Sequence, residues 1–137
     1  MSKENVEIVR RVFDRWAHGD FTEVDFFDPE VEFELVDWPE PVKARGVPAM
    51  GRAWLAILGA WDDYRAVPED FIESGRHVVV PSRVQARGRT SGVEVRGDVA
   101  AVFTFEDGKA VRLTLYWDRA RAFQAVGLSG KDAHAES

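Results

Sequence analysis

The second half of the chain is a series of strand patterns separated by tight-turn signals. Apolar and polar residues alternate through segments at about residues 66–74, 76–88, 92–106 and 109–117. Gly88 to Gly92 supplies one turn, and Asp107-Gly108 is a strong short-range hairpin signal. Consecutive strands joined by such turns pair with their neighbours, so the pattern predicts a long antiparallel meander.

The first half of the chain is dominated by helix patterns. Residues 3–17 place apolar side chains at intervals of three and four, and residues 47–63 do the same after Pro48. Further elements are predicted as helices at 21–27 and 119–126 and as a strand at 30–37.

This order of elements predicts an α+β fold. We expect a cone-shaped, curved antiparallel β-sheet with three helices of the first half packed on its concave face, and a short C-terminal helix. The open end of such a cone is a natural ligand site. At 137 residues the chain has the length of one domain, expected to span 1–128 and to be followed by a polar, flexible tail at 129–137.

The composition excludes several classes of protein. The chain has no cysteine, which excludes thiol catalysis, disulfides and cysteine-ligated zinc, and fits a reducing cytoplasm. Its net charge of −6 argues against a nucleic-acid partner. No run reaches the ~18 apolar residues of a membrane span, and the polar N-terminus is not typical of a signal peptide. We therefore expect a cytoplasmic protein with neither a nucleic-acid nor a membrane partner.

Several runs of sequence together resemble one known superfamily. The runs are NVEIVRR at 5–11, FDPEVEF at 27–33, FTFEDGKAVR at 103–112 and YWDRA at 116–120. In this order and spacing they resemble nuclear transport factor two-like proteins, most closely the SnoaL-like group, which includes polyketide cyclases and lies beside the ketosteroid isomerases. The resemblance extends over about residues 3–128 and implies the same cone-shaped fold. It implies no single function, because this fold hosts isomerases, cyclases, dehydratases, hydrolases and non-catalytic binders.

The resemblance also implies where catalytic residues would lie. Ketosteroid isomerases use an Asp base, with a Tyr and a protonated Asp as oxyanion donors. Those positions fall here on Glu34, Val12 and Ala101. Both donor positions are therefore apolar, and steroid isomerisation by that mechanism is not expected.

In SnoaL-like cyclases a His and an Asp on the last strand commonly supply acid–base chemistry. These positions fall on Leu113 and Leu115. Tyr116 and Asp118, close by, are the alternative catalytic candidates. Asp118 is also the residue expected to cap the last helix.

Glu34 has two interpretations. It shares one strand face with Glu32, while Phe33 and Leu35 compete for the inward side. If Glu34 faces inward, apolar surroundings would make it an effective base near neutral pH. If it faces outward, it is one of two solvated carboxylates.

Other catalytic chemistries have no pattern in this sequence. His18, His77 and His134 lie in a turn, at a strand start and in the tail, without metal-ligand spacing. Serine-nucleophile and nucleotide-binding glycine motifs are also missing from the sequence. We therefore expect neither a metal nor a cofactor.

The expected pocket is apolar and rich in aromatic side chains. Trp16, Trp54 and Trp117 face inward by periodicity, and Trp38 is expected to cover the mouth. Core packing is the alternative for a helix aromatic such as Trp16. The other expected ligand-binding residues are Val12, Leu58, Val80, Ser82, Val84, Ala101, Phe103, Leu113 and Leu115. Such walls suit a small, flat, apolar ligand.

Two functional hypotheses follow. The first is a cofactor-free isomerase, cyclase or dehydratase in which Glu34 is the base and Tyr116, Asp118 or Ser82 is a hydrogen-bonding partner. The second is a non-catalytic ligand-binding or dimeric assembly module, because the catalytic positions of the family are apolar here. The sheet face opposite the pocket is expected to form a two-fold homodimer. Its residues are Val79, Pro81, Arg83, Gln85, Ala100, Val102, Thr104 and Tyr116.

Overall fold

A computed structural model describes residues 2–18, 20, 25–37 and 42–128 of the chain. The elements are α1 (Ser2–Ala17), β1 (Phe27–Leu35), β2 (Val42–Arg45), α2 (Val47–Gly59), β3 (Trp61–Pro68), β4 (Ile72–Ser74), β5 (His77–Gly88), β6 (Glu94–Glu106), β7 (Lys109–Tyr116) and α3 (Arg119–Ala125). They form the predicted α+β cone, a large curved sheet with helices against it. The proposed tail at 129–137 lies outside the described residues.

The strands form a single sheet in the order β2-β1-β7-β6-β5-β3, with β4 paired to β5. Strands β5, β6 and β7 make the predicted antiparallel meander. The sheet is mixed and not wholly antiparallel as predicted, because β1 runs parallel to β7 and pairs Phe33 with Leu113. Phe33 and Leu113 are far apart in the sequence, so no tight turn connects their strands. Local patterns therefore could not give the direction of this pairing.

The prediction of a helix over 47–63 is wrong at its C-terminal end. α2 ends at Gly59, and Trp61 begins β3 and does not extend the apolar face of the helix. Pairing with β5 places Trp61 opposite Gly88 and Ala66 opposite Val84. This long-range pairing overrides the helical spacing of the aromatic residues. A local sequence pattern cannot reveal such a pairing.

Other boundaries of the predicted elements also differ from the observed ones. The strand predicted at 66–74 is divided between β3 and β4, and the loop after β1 contains the short strand β2. Phe27, assigned to a second helix at 21–27, opens β1, and residues 21–24 lie outside the described part.

The main core lies between the concave face of the sheet and the helices α1 and α2. The predicted apolar face of α1 supplies the buried side chains of Val9, Val12 and Phe13. From the sheet, Phe33 and Phe103 are fully enclosed. Burying a side chain of this size stabilises the fold by roughly 1.5–3 kcal/mol, so these contacts hold the helices on the sheet.

The opposite face of the sheet carries a second, smaller apolar cluster. Ala122 and Phe123 of α3 pack there on Val79, Ala100 and Val102. These three strand residues belong to the face expected to form a homodimer. That face is thus covered by α3 at this point, and the apolar contacts that favoured pairing are made within the chain. The homodimer itself stays a prediction.

Polar contacts fix the start of α3. Asp118 caps the helix, as predicted, and its Oδ1 accepts a hydrogen bond of 3.0 Å from the Ala120 amide. The Asp37 carboxylate accepts from the Trp117 and Asp118 amides at 2.5 and 2.9 Å. Arg119 donates to a Glu69 carboxylate oxygen and to the Ser82 carbonyl.

None of the helices in the described part of the chain is long and apolar enough to cross a membrane.

Candidate functional site

An aromatic pocket lies between α1, α2 and the concave face of the sheet. Its volume is about 440 Å³. Phe13 and Trp16 from α1, and Trp54 from α2, form one side. The rings touch one another, with centroids 5.1 Å apart for Phe13–Trp16 and 5.9 Å apart for Trp16–Trp54. Trp16 contacts both Phe13 and Trp54, so the three helix aromatics form one continuous wall, with ring planes tilted by 46° and 32°.

The floor of the pocket comes from the central strands. Ser82 and Val84 of β5 lie beside Val99 and Ala101 of β6 and Leu115 of β7. Ser82 pairs with Val99, and Ala101 pairs with Leu115. The side chains of residues on one face alternate along each strand, so these paired positions present one continuous surface. The pocket is therefore bounded by aromatic rings above and small or aliphatic side chains below.

The structure brings together part of the predicted ligand-binding set. The predicted ligand-binding residues that line the pocket are Trp16, Trp54, Leu58, Ser82, Val84, Ala101 and Leu115. Four others, Val12, Val80, Phe103 and Leu113, are buried in the core behind the pocket and do not line it.

Two predicted tryptophans are not part of the described pocket wall. The ring of Trp117 lies against Gly97, and a Cβ atom at Gly97 would come within 3.0 Å of that ring. Gly97 therefore provides the space in which Trp117 packs on β6. Trp38, the expected lid, lies outside the described residues.

The predicted base Glu34 lies on the other face of the sheet. Phe33 and Leu35 occupy the core side of β1, and Glu34 borders a polar depression with Lys43, Arg45 and Arg112. The inward orientation considered for Glu34 is thus wrong, and the solvated-face interpretation agrees with the structure. The reason is packing: two large apolar side chains in alternate positions take the inward face.

The neighbouring carboxylate Glu32 belongs to a charged network on this outer face. Arg112 donates to Glu32 Oε2 at 2.6 and 3.1 Å, and Arg45 lies 3.6 Å from Oε1. The hydrogen bond and the positive charge of Arg112 lower the pKa of Glu32. Both outer-face carboxylates thus lie among cations, where they neutralise charge and do not contact the pocket.

The remaining catalytic candidates have other contacts. Asp118 is exposed and caps α3. Tyr116 borders the pocket but packs in the second cluster with Ala100 and Val102. Burial, then the charges of Glu34 and Asp37, raise the pKa of Tyr116. The structure therefore does not bring Glu34, Tyr116 and Asp118 together around one ligand.

The histidines in the described part also lie outside the pocket lining. His18 Nδ1 is 2.8 Å from the Asp14 carbonyl oxygen, and His77 Nδ1 is 2.9 Å from Thr104 Oγ1. Burial and the charges of Arg76 and Arg112 lower the pKa of His77. The described residues include no group of three metal-ligating side chains.

The sequence interpretation missed Tyr64, which lines the pocket on β3. Its ring meets Trp54 edge to face, with centroids 6.2 Å apart and planes at 85°. Burial raises the pKa of Tyr64 to about 12. The helix prediction ran to residue 63 and so concealed this strand. Asp62-Asp63, a pair of poor helix formers, is the sequence signal that could have ended the helix earlier.

Glu34→Gln is expected to change stability little. Glu34 lies on the outer face, so its substitution should alter the free energy of unfolding by no more than about 0.5 kcal/mol. Denaturant unfolding of the natural protein and Glu34→Gln at pH 7 measures this difference. Glu32→Gln is the matched comparison. The lowered pKa of Glu32 stabilises the fold above the unfolded value near 4.3, and this stabilisation is lost as pH falls. A gain in stability well above about 0.5 kcal/mol for Glu34→Gln would restore the buried-base interpretation, because glutamine carries no charge to desolvate.

Solved structures of similar fold cover most of this chain. A nuclear transport factor 2-like protein of unknown function from Burkholderia pseudomallei is 20% identical, with a TM-score of 0.75 and coverage of 90% of this chain and 97% of its own. TerC, co-crystallised with polyporic acid, is 21% identical, with a TM-score of 0.72 and coverage of 90% and 97%. A protein from Jannaschia assigned to the SnoaL-like polyketide cyclases is 21% identical, with a TM-score of 0.69 and coverage of 91% and 92%. At these identities the comparisons establish the fold.

A search of the curated proteins found no match. The family comparison is informative, because a family model described as a SnoaL-like domain matches residues 9–113. This range extends from α1 to β7 and so contains most of the pocket wall. The chain therefore belongs to the SnoaL-like domain family, within the nuclear transport factor 2-like superfamily.

Proposed function

We propose that this protein binds a small, flat, largely apolar molecule in the aromatic pocket, without transforming it. The observation that carries the proposal is the wall of rings formed by Phe13, Trp16, Trp54 and Tyr64. A pocket of about 440 Å³ is within the range that holds drug-sized ligands. Aromatic rings recognise planar molecules by stacking and edge contacts.

The binding proposal is favoured over a cofactor-free isomerase, cyclase or dehydratase by the position of Glu34. Proton transfer needs a base within hydrogen-bonding reach of the substrate. The residue at the family's base position instead borders the depression on the outer face with Lys43 and Arg45. Asp118, the second carboxylate considered, accepts a hydrogen bond from α3. These placements support reversible binding.

The pocket can be blocked from α2 with a matched control on the same helix. Leu58 lines the pocket, whereas Leu55 is 68% exposed and is not part of the lining. Leu58→Trp adds a ring to the pocket, and Leu55→Trp adds the same ring at the surface. We expect 2-acetylnaphthalene to bind the natural protein with a dissociation constant on the order of 100 μM. Leu58→Trp should weaken that binding at least about tenfold, and Leu55→Trp should leave it unchanged.

Isothermal titration calorimetry measures these affinities, and urea unfolding shows whether both variants are folded. A ligand of the same connectivity with a saturated decalin ring tests the role of the aromatic wall, since a thicker, saturated ring stacks less well on aromatic side chains. Equal binding by both leucine variants, or stronger binding of the saturated ligand, would contradict the proposed function.

A further inference from the structure

An irregularity in β3 places Tyr64 at the pocket. The pairing of β3 with β5 shifts register between Asp62 and Arg65, and Asp63 takes a positive φ of 54°. Such a bulge adds a residue to one strand and changes the direction of the neighbouring side chains. Bulges are frequent beside functional sites because they aim a side chain away from the regular alternation. Here the side chain next to the bulge is the phenol of Tyr64.

The hydroxyl of Tyr64 has no hydrogen-bond partner among the described residues. Tyr64 Oη is not one of the buried side-chain atoms that lack a partner, so the hydroxyl of this half-buried residue is accessible. Tyr64 lines the pocket, so an acceptor on a bound molecule can supply the missing contact.

A second donor on the adjoining ring is also unpaired. Trp54 Nε1 is buried and makes no hydrogen bond within the described part of the chain. The indole of Trp54 and the phenol of Tyr64 touch edge to face. The indole N–H donates only, so its partner must be an acceptor. Nε1 is closed to water in this structure, so it can donate to a ligand only if binding is accompanied by a rotation of the indole.

We infer that Tyr64 Oη, assisted by Trp54 Nε1, donates a hydrogen bond to a carbonyl oxygen of the ligand. This inference rests on the proposed function and narrows the ligand class to planar aromatic carbonyl compounds. A neutral carbonyl suits these two donors because both are themselves neutral, and the one cation of the described pocket lining, Arg65, is exposed. Tyr64 and Trp54 thus determine specificity, and the ring wall supplies the apolar contact.

A pair of probes of nearly equal shape tests this inference. In 2-isopropenylnaphthalene a CH₂ group replaces the carbonyl oxygen of 2-acetylnaphthalene. One net hydrogen bond is worth about 1 kcal/mol, so the natural protein should bind the ketone about five- to tenfold more tightly by calorimetry. Tyr64→Phe should lower this preference to about twofold or less and leave the affinity for the hydrocarbon unchanged. The hydrocarbon is therefore the control for packing.

Nuclear magnetic resonance gives an independent test of Trp54. The indole N–H signal of Trp54 is identified by its loss in Trp54→Phe, and it should move downfield with the ketone but not with the hydrocarbon. Equal affinity of the natural protein for both probes would overturn the inference and leave the proposed function standing. Loss of both affinities in Tyr64→Phe would assign Tyr64 a packing role and overturn it too. Binding of neither probe would overturn both proposals.

Discussion

Phe103→Ala is expected to lower the free energy of unfolding by about 3–5 kcal/mol. Phe103 is fully buried at the centre of the sheet. Its ring centroid lies 6.0 Å from that of Phe13 and 6.4 Å from those of Trp16 and Phe26. Truncation removes a whole ring and leaves a cavity, because neighbours held by α1 and the sheet can close it only in part.

Urea unfolding followed by circular dichroism measures this loss. Leu55→Ala is the control, since it also truncates a large apolar side chain but at a site that is 68% exposed. It should change stability by less than about 0.5 kcal/mol. A loss below about 1.5 kcal/mol for Phe103→Ala would mean that the ring faces the pocket, as the sequence interpretation supposed, and not the core.

The periodicities in the sequence predicted the elements whose structure depends on local contacts. The apolar face of α1 and the hairpin at Asp107-Gly108 are both where the pattern placed them. Gly108 has a φ of 79°, and Asp107 one of 50°, the left-handed geometry that such a turn requires. Side-chain spacing and turn chemistry are local properties, so sequence alone reveals them.

The face on which Glu34 lies could not be obtained in this way. Glu32 and Glu34 alternate with Phe33 and Leu35, and the spacing is the same for either orientation of the strand. Packing determines which face of β1 turns inward, because β1 pairs with β7 and the helices cover Phe33 and Leu35. The family resemblance gave Glu34 the position of a pocket carboxylate. Whether its side chain faces the pocket depends on how β1 pairs with β7, which local spacing does not reveal.

Tyr64 shows why the pocket itself was only partly predictable. The residues 47–63 keep a helical spacing of apolar side chains up to Trp61, so the pattern concealed the end of α2. The bulge that presents Tyr64 depends on the register with β5, which has no local sequence signature. Similarly, Phe103 and Trp16 both face inward by periodicity, yet only Trp16 lines the pocket.

The raised pKa of Tyr64 predicts a loss of stability at alkaline pH. Burial raises it to about 12, against about 10 in the unfolded chain. Below about pH 9 both states are protonated and the effect is nil. As pH rises from 10 towards 12, the unfolded chain loses the proton that the folded chain keeps, so unfolding becomes easier. The expected loss is about 1 kcal/mol between pH 10 and 11, and it approaches roughly 2–3 kcal/mol above pH 12.

Tyr64→Phe removes this effect, because phenylalanine has no proton to lose. The measurement is the difference in unfolding free energy between the natural protein and Tyr64→Phe at pH 8, 10 and 11. Tyr116, the chain's other tyrosine, is present in both proteins, so its own raised pKa cancels in the difference. The natural protein should lose a little stability relative to the variant between pH 8 and 10, and more between pH 10 and 11. A constant difference from pH 8 to 11 would contradict the raised pKa of Tyr64 and show that its phenol ionises in the folded protein as it does in the unfolded chain.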